Sequence, residues 1–118
     1  MCRKYLHDFM KLVIQNKEII ELRVAENMFA RMKGFMGKKN INYALLFNPC
    51  NNIHTFFMKE KIDVLYLDKK GYIINFDNGI MPWKFGRIIK GGKTVIELPA
   101  GTIDKFNIEI GQYVQVKE

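Results

Sequence analysis

Cys50 and His54 stand four residues apart, a thiol and an imidazole close enough in sequence to raise the question of nucleophilic or metal chemistry. A thiol attacks an acyl carbon when a neighbouring imidazole takes its proton, and the same pair supplies two ligand types favoured by zinc. The spacing argues against both. On an extended strand, a rise of about 3.3 Å per residue puts the two backbones about 13 Å apart. One ion would need both side chains within about 2.3 Å. Pro49 and Asn51-Asn52 could fold the segment back, but no C-x-x-C, H-E-x-x-H or third ligand accompanies the pair. A turn cysteine beside a hydrogen-bonded strand histidine is therefore expected, with no metal and no cofactor. A hydrolase using Cys50 and His54, or the carboxylates below, is the enzymatic alternative.

Asp63 and Glu97 are acids set within apolar runs, Ile62–Asp68 and Thr94–Leu98. Strand alternation places Glu97 with Val95 and Asp63 with Leu65 and Leu67. An acid on an apolar face is costly unless paired or hydrogen-bonded, and Arg31 is the expected partner for one of them. A buried ion pair that sets strand register is one outcome. The functional one is a non-enzymatic binding module with a polar–apolar pocket around Arg31, Asp63 and Glu97, near a His54–Lys59 strand. There Arg31 and Lys59 would hold a small polar or acidic molecule that the carboxylates orient. Carboxylates beside aromatics also hold sugar hydroxyls, here by analogy only. No spacing sets the two acids across a glycosidic bond.

Met81–Lys93 mixes aromatics with cations: Trp83 and Phe85 interleave with Lys84, Arg87, Lys90 and Lys93, and no acid occurs between Asn78 and Ile96. Cations with aromatics can hold phosphates and stack bases. A three-residue period, however, follows neither a strand face nor a full helical stripe, so a solvated loop is expected. A nucleic-acid or acidic-protein binder working through Trp83–Lys93 remains the third reading, with nucleic acid not the expected partner. Gly91-Gly92-Lys93 is no phosphate loop, because Arg87 stands where the first glycine is required. Met28, Met32, Met36, Met58 and Met81 are expected to fill core space rather than bind soft metals.

The 118 residues suit a single domain, and 48% hydrophobic content is enough for a core. The longest apolar run, Tyr43–Phe47, is far shorter than the roughly 20 residues of a membrane span. The N-terminal stretch lacks the apolar core of a secretory signal, and Cys2 with Cys50 makes no disulfide framework, so a cytoplasmic setting without membrane association is expected. The periodic pattern begins after Met10, and residues 1–9 are expected to add little to a domain over residues 10–118. The net charge of +7 is uneven, at +5 over residues 1–39, 0 over 40–80 and +2 over 81–118. It reads as a neutral β-core with basic edges.

The elements that must position these side chains are mostly short strands. Leu12–Gln15 and Ile19–Val24 flank a turn at Asn16–Lys17, Tyr43–Phe47 ends at Asn48–Pro49, and His54–Met58 is β-rich. Ile62–Asp77 reads as a hairpin turning at Asp68–Gly71, followed by a turn at Asn78-Gly79. A weaker strand at Arg87–Lys90, a strand at Thr94–Leu98 and a final one at Tyr113–Val116 complete the pattern. Glu26–Met36 suits a short helix or turn closed by Gly34 and Gly37, and Thr102–Phe106 a helical turn with Thr102 as N-cap. The sum is a mainly β, compact antiparallel sandwich or barrel-like single domain with one or two short helical turns.

Six blocks in order resemble domain-of-unknown-function family 192: Arg31-Met32-Lys33-Gly34-Phe35-Met36, Ala44–Phe47, His54–Lys59, Ile62–Asp68, Val95–Gly101 and Ile110–Val114. The resemblance covers Lys11–Val116. It implies a compact β-rich domain and supplies no activity. Two departures, Phe57 where Trp is frequent and Lys61 where Pro is, leave the fold expectation unchanged.

Overall fold

The computed structural model describes residues 10–26 and 33–118. In chain order these form β1 (Met10–Ile14), β2 (Lys17–Val24), β3 (Ala44–Phe47), β4 (Ile62–Leu67), β5 (Ile73–Ile80), β6 (Thr94–Pro99), α1 (Thr102–Phe106) and β7 (Val114–Lys117). The strands make one sheet in the order β5-β4-β6-β3-β2-β1-β7. Neighbours run antiparallel except β2 and β3, which are parallel. The sheet curls until its two edges meet. Tyr72 bridges Tyr113, Ile73 N–H donates to the Gln112 carbonyl at 3.0 Å, and Val114 N–H donates to the Gly71 carbonyl at 2.9 Å. Bringing the edges together satisfies strand groups that would otherwise template aggregation. The mainly β, barrel-like domain expected from the sequence is what forms.

Two hairpins follow directly from local chemistry. The β1–β2 turn uses Gln15 and Asn16 at φ 52° and 64°, the double left-handed geometry that matches strand twist. It sits one residue earlier than expected. Between β4 and β5, Asp68 Oδ1 accepts from Lys70 N–H at 2.9 Å and Tyr72 N–H at 3.0 Å. The Tyr72 hydrogen bond, ahead of those from Lys70 and Gly71, holds the Asp68 carboxyl below its usual range.

Four expectations need correction. Asn78-Gly79 is no turn: β5 continues to Ile80, with Gly79 at φ 78° in a bulge opposite β4. His54–Met58 is no strand, because Phe57 takes φ 62° and breaks the extension; only His54 pairs, with Phe85. Arg87–Lys90 forms no strand either. Its segment instead runs beside residues 50–55 in a sparse antiparallel ladder, with Gly86 N–H donating to Ile53 at 2.8 Å and Ile89 N–H to Asn51 at 3.0 Å. Cys50 N–H donating to Lys93 at 2.8 Å ends this ladder. A Cβ on Gly86 would stand 2.7 Å from the Ile53 carbonyl oxygen, so only glycine allows the approach. Finally, Gly101 at φ 91°, not Thr102, is the N-cap of α1. The Thr102 hydroxyl donates instead to the Pro99 carbonyl at 2.6 Å. Residues 27–32, which include Arg31, Met28 and Met32, lie outside the described residues, as do residues 1–9.

Both faces of the sheet are buried. Leu12, Leu22, Leu65, Ile96 and Leu98 pack inside the curl with Ile103 and Ile108. Val64, Tyr66, Val95, Leu45 and Phe47 form the other face, covered by Phe35, Met58 and Ile89 from the long connections. No helix among the described residues is long and apolar enough to cross a membrane.

Candidate functional site

Asp63 and Glu97 lie on opposite faces of the sheet. Asp63 pairs with Leu98, whose side chain belongs to the inner core, while Glu97 pairs with Val64 in the outer one. The pocket expected around Arg31, Asp63 and Glu97 therefore loses Asp63, for the reason that odd and even strand positions point apart. Asp63 is fully buried, and its carboxyl is spent on two backbone donors: Gly79 N–H to Oδ1 and Ile103 N–H to Oδ2, both at 2.9 Å. It joins β4 to the β5 bulge and to the first turn of α1. That is a structural duty.

Glu97 stands at the floor of a cavity of about 100 Å³, lined also by Gly34, Phe35, Phe47, Cys50, Ile53, His54 and Met58 among others. The carboxyl is only 5% exposed, and its Oε1 has no hydrogen-bond partner among the described residues. Burial pushes its pKa from the ordinary 4.5 up to about 8. At neutral pH the group is thus mainly a neutral acid, able to donate as well as accept. Gly34 lies beside the carboxyl at φ 48°, a backbone conformation that favours glycine, and a Cβ there would meet Glu97 Oε1 at 3.4 Å, an ordinary contact distance.

Cys50 and His54 both line this cavity, so the chain does fold back between them. They make no thiol–imidazole hydrogen bond. Cys50 Sγ–H donates to the Asn52 carbonyl at 3.0 Å, and His54 Nδ1 accepts from Phe56 N–H at 3.2 Å. An acceptor Nδ1 leaves the ring proton on Nε2. No group of three or more His, Cys, Asp or Glu suited to a metal ion occurs among the described residues. Lys59 is exposed and does not line the cavity.

Beside the cavity is a feature that sequence reasoning saw only in part. His54 stacks against Phe56 at 5.1 Å, Phe56 meets Phe85 at 4.7 Å and Trp83 at 6.2 Å, and Trp83 meets Phe57 at 4.7 Å. Phe57, Trp83 and Phe85 are 61%, 58% and 80% exposed. Thr55, fully buried, ties the two loops together. Its N–H donates to the Lys84 carbonyl at 2.8 Å, its hydroxyl donates to the Met81 carbonyl at 2.6 Å, and it accepts from Lys84 N–H at 2.9 Å. Trp83 N–H donates to the Thr55 carbonyl at 2.9 Å. Thr55 lay unremarked within the β-rich run; its signal was a small polar residue between bulky apolar ones. Thr55→Val keeps the shape and orphans Met81 and Lys84. We expect a loss of about 1–3 kcal/mol and faster hydrogen exchange at the Lys84 amide. Unchanged exchange there would remove the clamp.

Of the four cations of the loop, one is held in an ion pair. Arg87 is committed to Asp77 at 2.6 Å, and Asp77 in turn accepts from the buried Tyr66 hydroxyl at 2.8 Å. Burial first, then that hydrogen bond, pushes the Tyr66 pKa well above its ordinary value. Lys93 N–H donates to Leu67 at the end of β4, whereas Lys84 lies beside Thr55. Because Met81 follows the β5 residue paired with Ile62, the loop runs along β4 from one end to the other.

Comparison with known proteins agrees with this architecture. The chain is 37% identical over 99 residues to a UPF0127 protein of Thermococcus sibiricus, a match covering 79% of this chain and 64% of that protein. It is 32% identical over 110 residues to a UPF0127 protein of Pyrococcus furiosus, covering 87% of this chain and 93% of the relative. A solved Novosphingobium aromaticivorans protein of unknown function superposes with a TM-score of 0.78 at 14% identity, covering 90% of this chain and 82% of that one. A Sinorhizobium meliloti structure gives 0.77 at 16%, covering 91% of each. At such identities these two structures support the shared fold alone. The model of the DUF192 family, described as Uncharacterized ACR, COG1430, matches residues 10–116, and the chain belongs to that family.

Proposed function

We propose that the domain is a non-enzymatic binding module whose cavity over Glu97 takes a small uncharged group presenting a hydrogen-bond acceptor. One observation carries this reading: Glu97 Oε1 is buried, unpartnered among the described residues, and faces a cavity. A buried polar atom without a partner forfeits about 1–3 kcal/mol, which an incoming acceptor would recover. The surrounding Phe35, Phe47, Ile53 and Met58 favour an uncharged group over the acidic molecule expected from sequence, since a charge there would be desolvated. A cavity of roughly 150 Å³ holds benzene, so about 100 Å³ suits a group of ~4 heavy atoms. Binding is favoured over Cys50–His54 hydrolysis because each side chain spends its hydrogen bond on nearby backbone.

The test is a thermal-shift series with simple amides, sugars, organic acids and nucleotides, run at pH 6 and pH 9. A ligand that prefers the native state raises the melting temperature. Amides or other neutral acceptors are expected to shift it at pH 6 and lose most of the effect at pH 9, where Glu97 has ionised and can no longer donate. Shifts confined to organic acids or nucleotides, or insensitive to pH, would overturn the reading.

A further inference from the structure

The cavity is too small for a whole ligand of ordinary size, since pockets for such molecules run to roughly 300–1,000 Å³. A molecule that enters it by one end must lay the rest on the adjoining surface. His54 decides which surface that is, because it lines the cavity and also begins the chain of ring contacts through Phe56 to Phe85, Trp83 and Phe57. We propose that the ligand is a neutral oligosaccharide carrying an N-acyl substituent, with the acyl group in the cavity and the sugar rings on this aromatic shelf. The proposal deepens the cavity reading above and rests on it.

The acyl group fits the cavity in size and in pattern. An acetamido unit has a methyl for the apolar wall of Phe35, Phe47 and Met58, and a carbonyl to accept from protonated Glu97. The shelf suits sugar rings, whose C–H faces carry slight positive charge and are drawn to the negative face of an aromatic ring. Backbone geometry holds the shelf open: Phe57 at φ 62° and Trp83 at φ 67° are both left-handed, a conformation that bulky residues avoid. Large rings kept exposed at a conformational cost are a mark of a surface with a task. Charge separates a sugar from a nucleic acid here. A polyanion needs several free cations along its path, and of the loop's cations Arg87 is already paired with Asp77.

Two independent reporters test it in the full chain carrying Cys2→Ser. Trp83, the one tryptophan of the sequence, reports on the shelf by its fluorescence, and alkylation of Cys50 by iodoacetamide reports on the cavity. The probes are chitotriose, cellotriose (the same backbone without N-acetyl groups), N-methylacetamide and an oligothymidylate. Chitotriose is expected to change Trp83 emission saturably and slow Cys50 alkylation at least fivefold. Cellotriose should bind at least tenfold more weakly, and Phe85→Ala should weaken chitotriose about tenfold without altering the melting temperature. If N-methylacetamide protects Cys50 while neither sugar changes Trp83 emission, the saccharide proposal fails and the cavity reading stands. If nothing protects Cys50, both fall. Equal binding of both sugars would overturn the acyl assignment, and salt-sensitive binding of the oligothymidylate alone would replace the sugar with a nucleic acid.

Discussion

Asp63→Ala is expected to destabilise the domain by about 2–6 kcal/mol, the sum of two orphaned backbone donors at about 1–3 kcal/mol each. The donors are Gly79 N–H in the half-buried β5 bulge and Ile103 N–H in the buried first turn of α1, and both meet a carboxyl that is itself fully buried. Domains of this kind are stable by only about 5–15 kcal/mol, so the variant would fold marginally. Urea unfolding gives the size of the loss. Hydrogen exchange gives its location, with protection expected to fall first at the amides of residues 79 and 103. Asp63→Asn is a useful companion, because it keeps one acceptor and turns an amide N–H toward the other donor. It should fall between wild type and alanine. A loss below 1 kcal/mol for Asp63→Ala would mean that the carboxyl does not couple these three elements.

Glu97→Gln is expected to do the opposite and raise stability near and above neutral pH. In the unfolded chain Glu97 titrates near 4.5, while burial lifts the folded value to about 8. Between these values the native state binds the extra proton, so stability falls as pH rises. Its contribution is fully present below about pH 4.5, declines through the window and is lost above about pH 8. At about 1.4 kcal/mol per unit, the whole window is worth several kcal/mol. Glutamine cannot ionise, so the variant should be more stable by about 1–4 kcal/mol at pH 8, converge with wild type near pH 4.5, and show a flatter profile between. Parallel profiles for the two proteins would refute the assignment. The same variant bears on function. Its amide can still donate to an acceptor in the cavity, so neutral ligands should bind without the loss at pH 9 that wild type shows. A natural acid that weakens the fold at neutral pH, where a neutral isostere would strengthen it, is a common signature of a group retained for binding.

Much of this fold is legible from local pattern. Ile62–Asp77 declares a hairpin because branched and aromatic residues flank an Asp-Lys-Lys-Gly turn whose hydrogen bonds form within five residues. The faces of Asp63 and Glu97 were also readable individually, since alternation assigns each to its strand neighbours. What misled was non-local. Asn78-Gly79 has turn composition, yet Asp63 from another strand takes the Gly79 N–H and keeps the chain in β5 as a bulge. His54–Met58 has strand composition, yet Thr55 is held by Met81 and Lys84 some thirty residues on, and Phe57 turns out of the extended region.

The sequence by itself therefore determined the class of fold, the family, the strand faces and the types of group available, among them the Cys50 thiol, the His54 imidazole and two acids set within apolar strands. Side-chain period and turn chemistry act over a few residues, and those features need nothing more. Which groups meet was decided only by the tertiary structure. Whether two strand residues share a face depends on the register between strands, and one step of register moved Asp63 to the inner core and left Glu97 in the outer. Glu97 became a neutral acid in a cavity only because loops far apart in sequence closed over it and removed water. Desolvation belongs to the assembled fold, and no residue carries it alone.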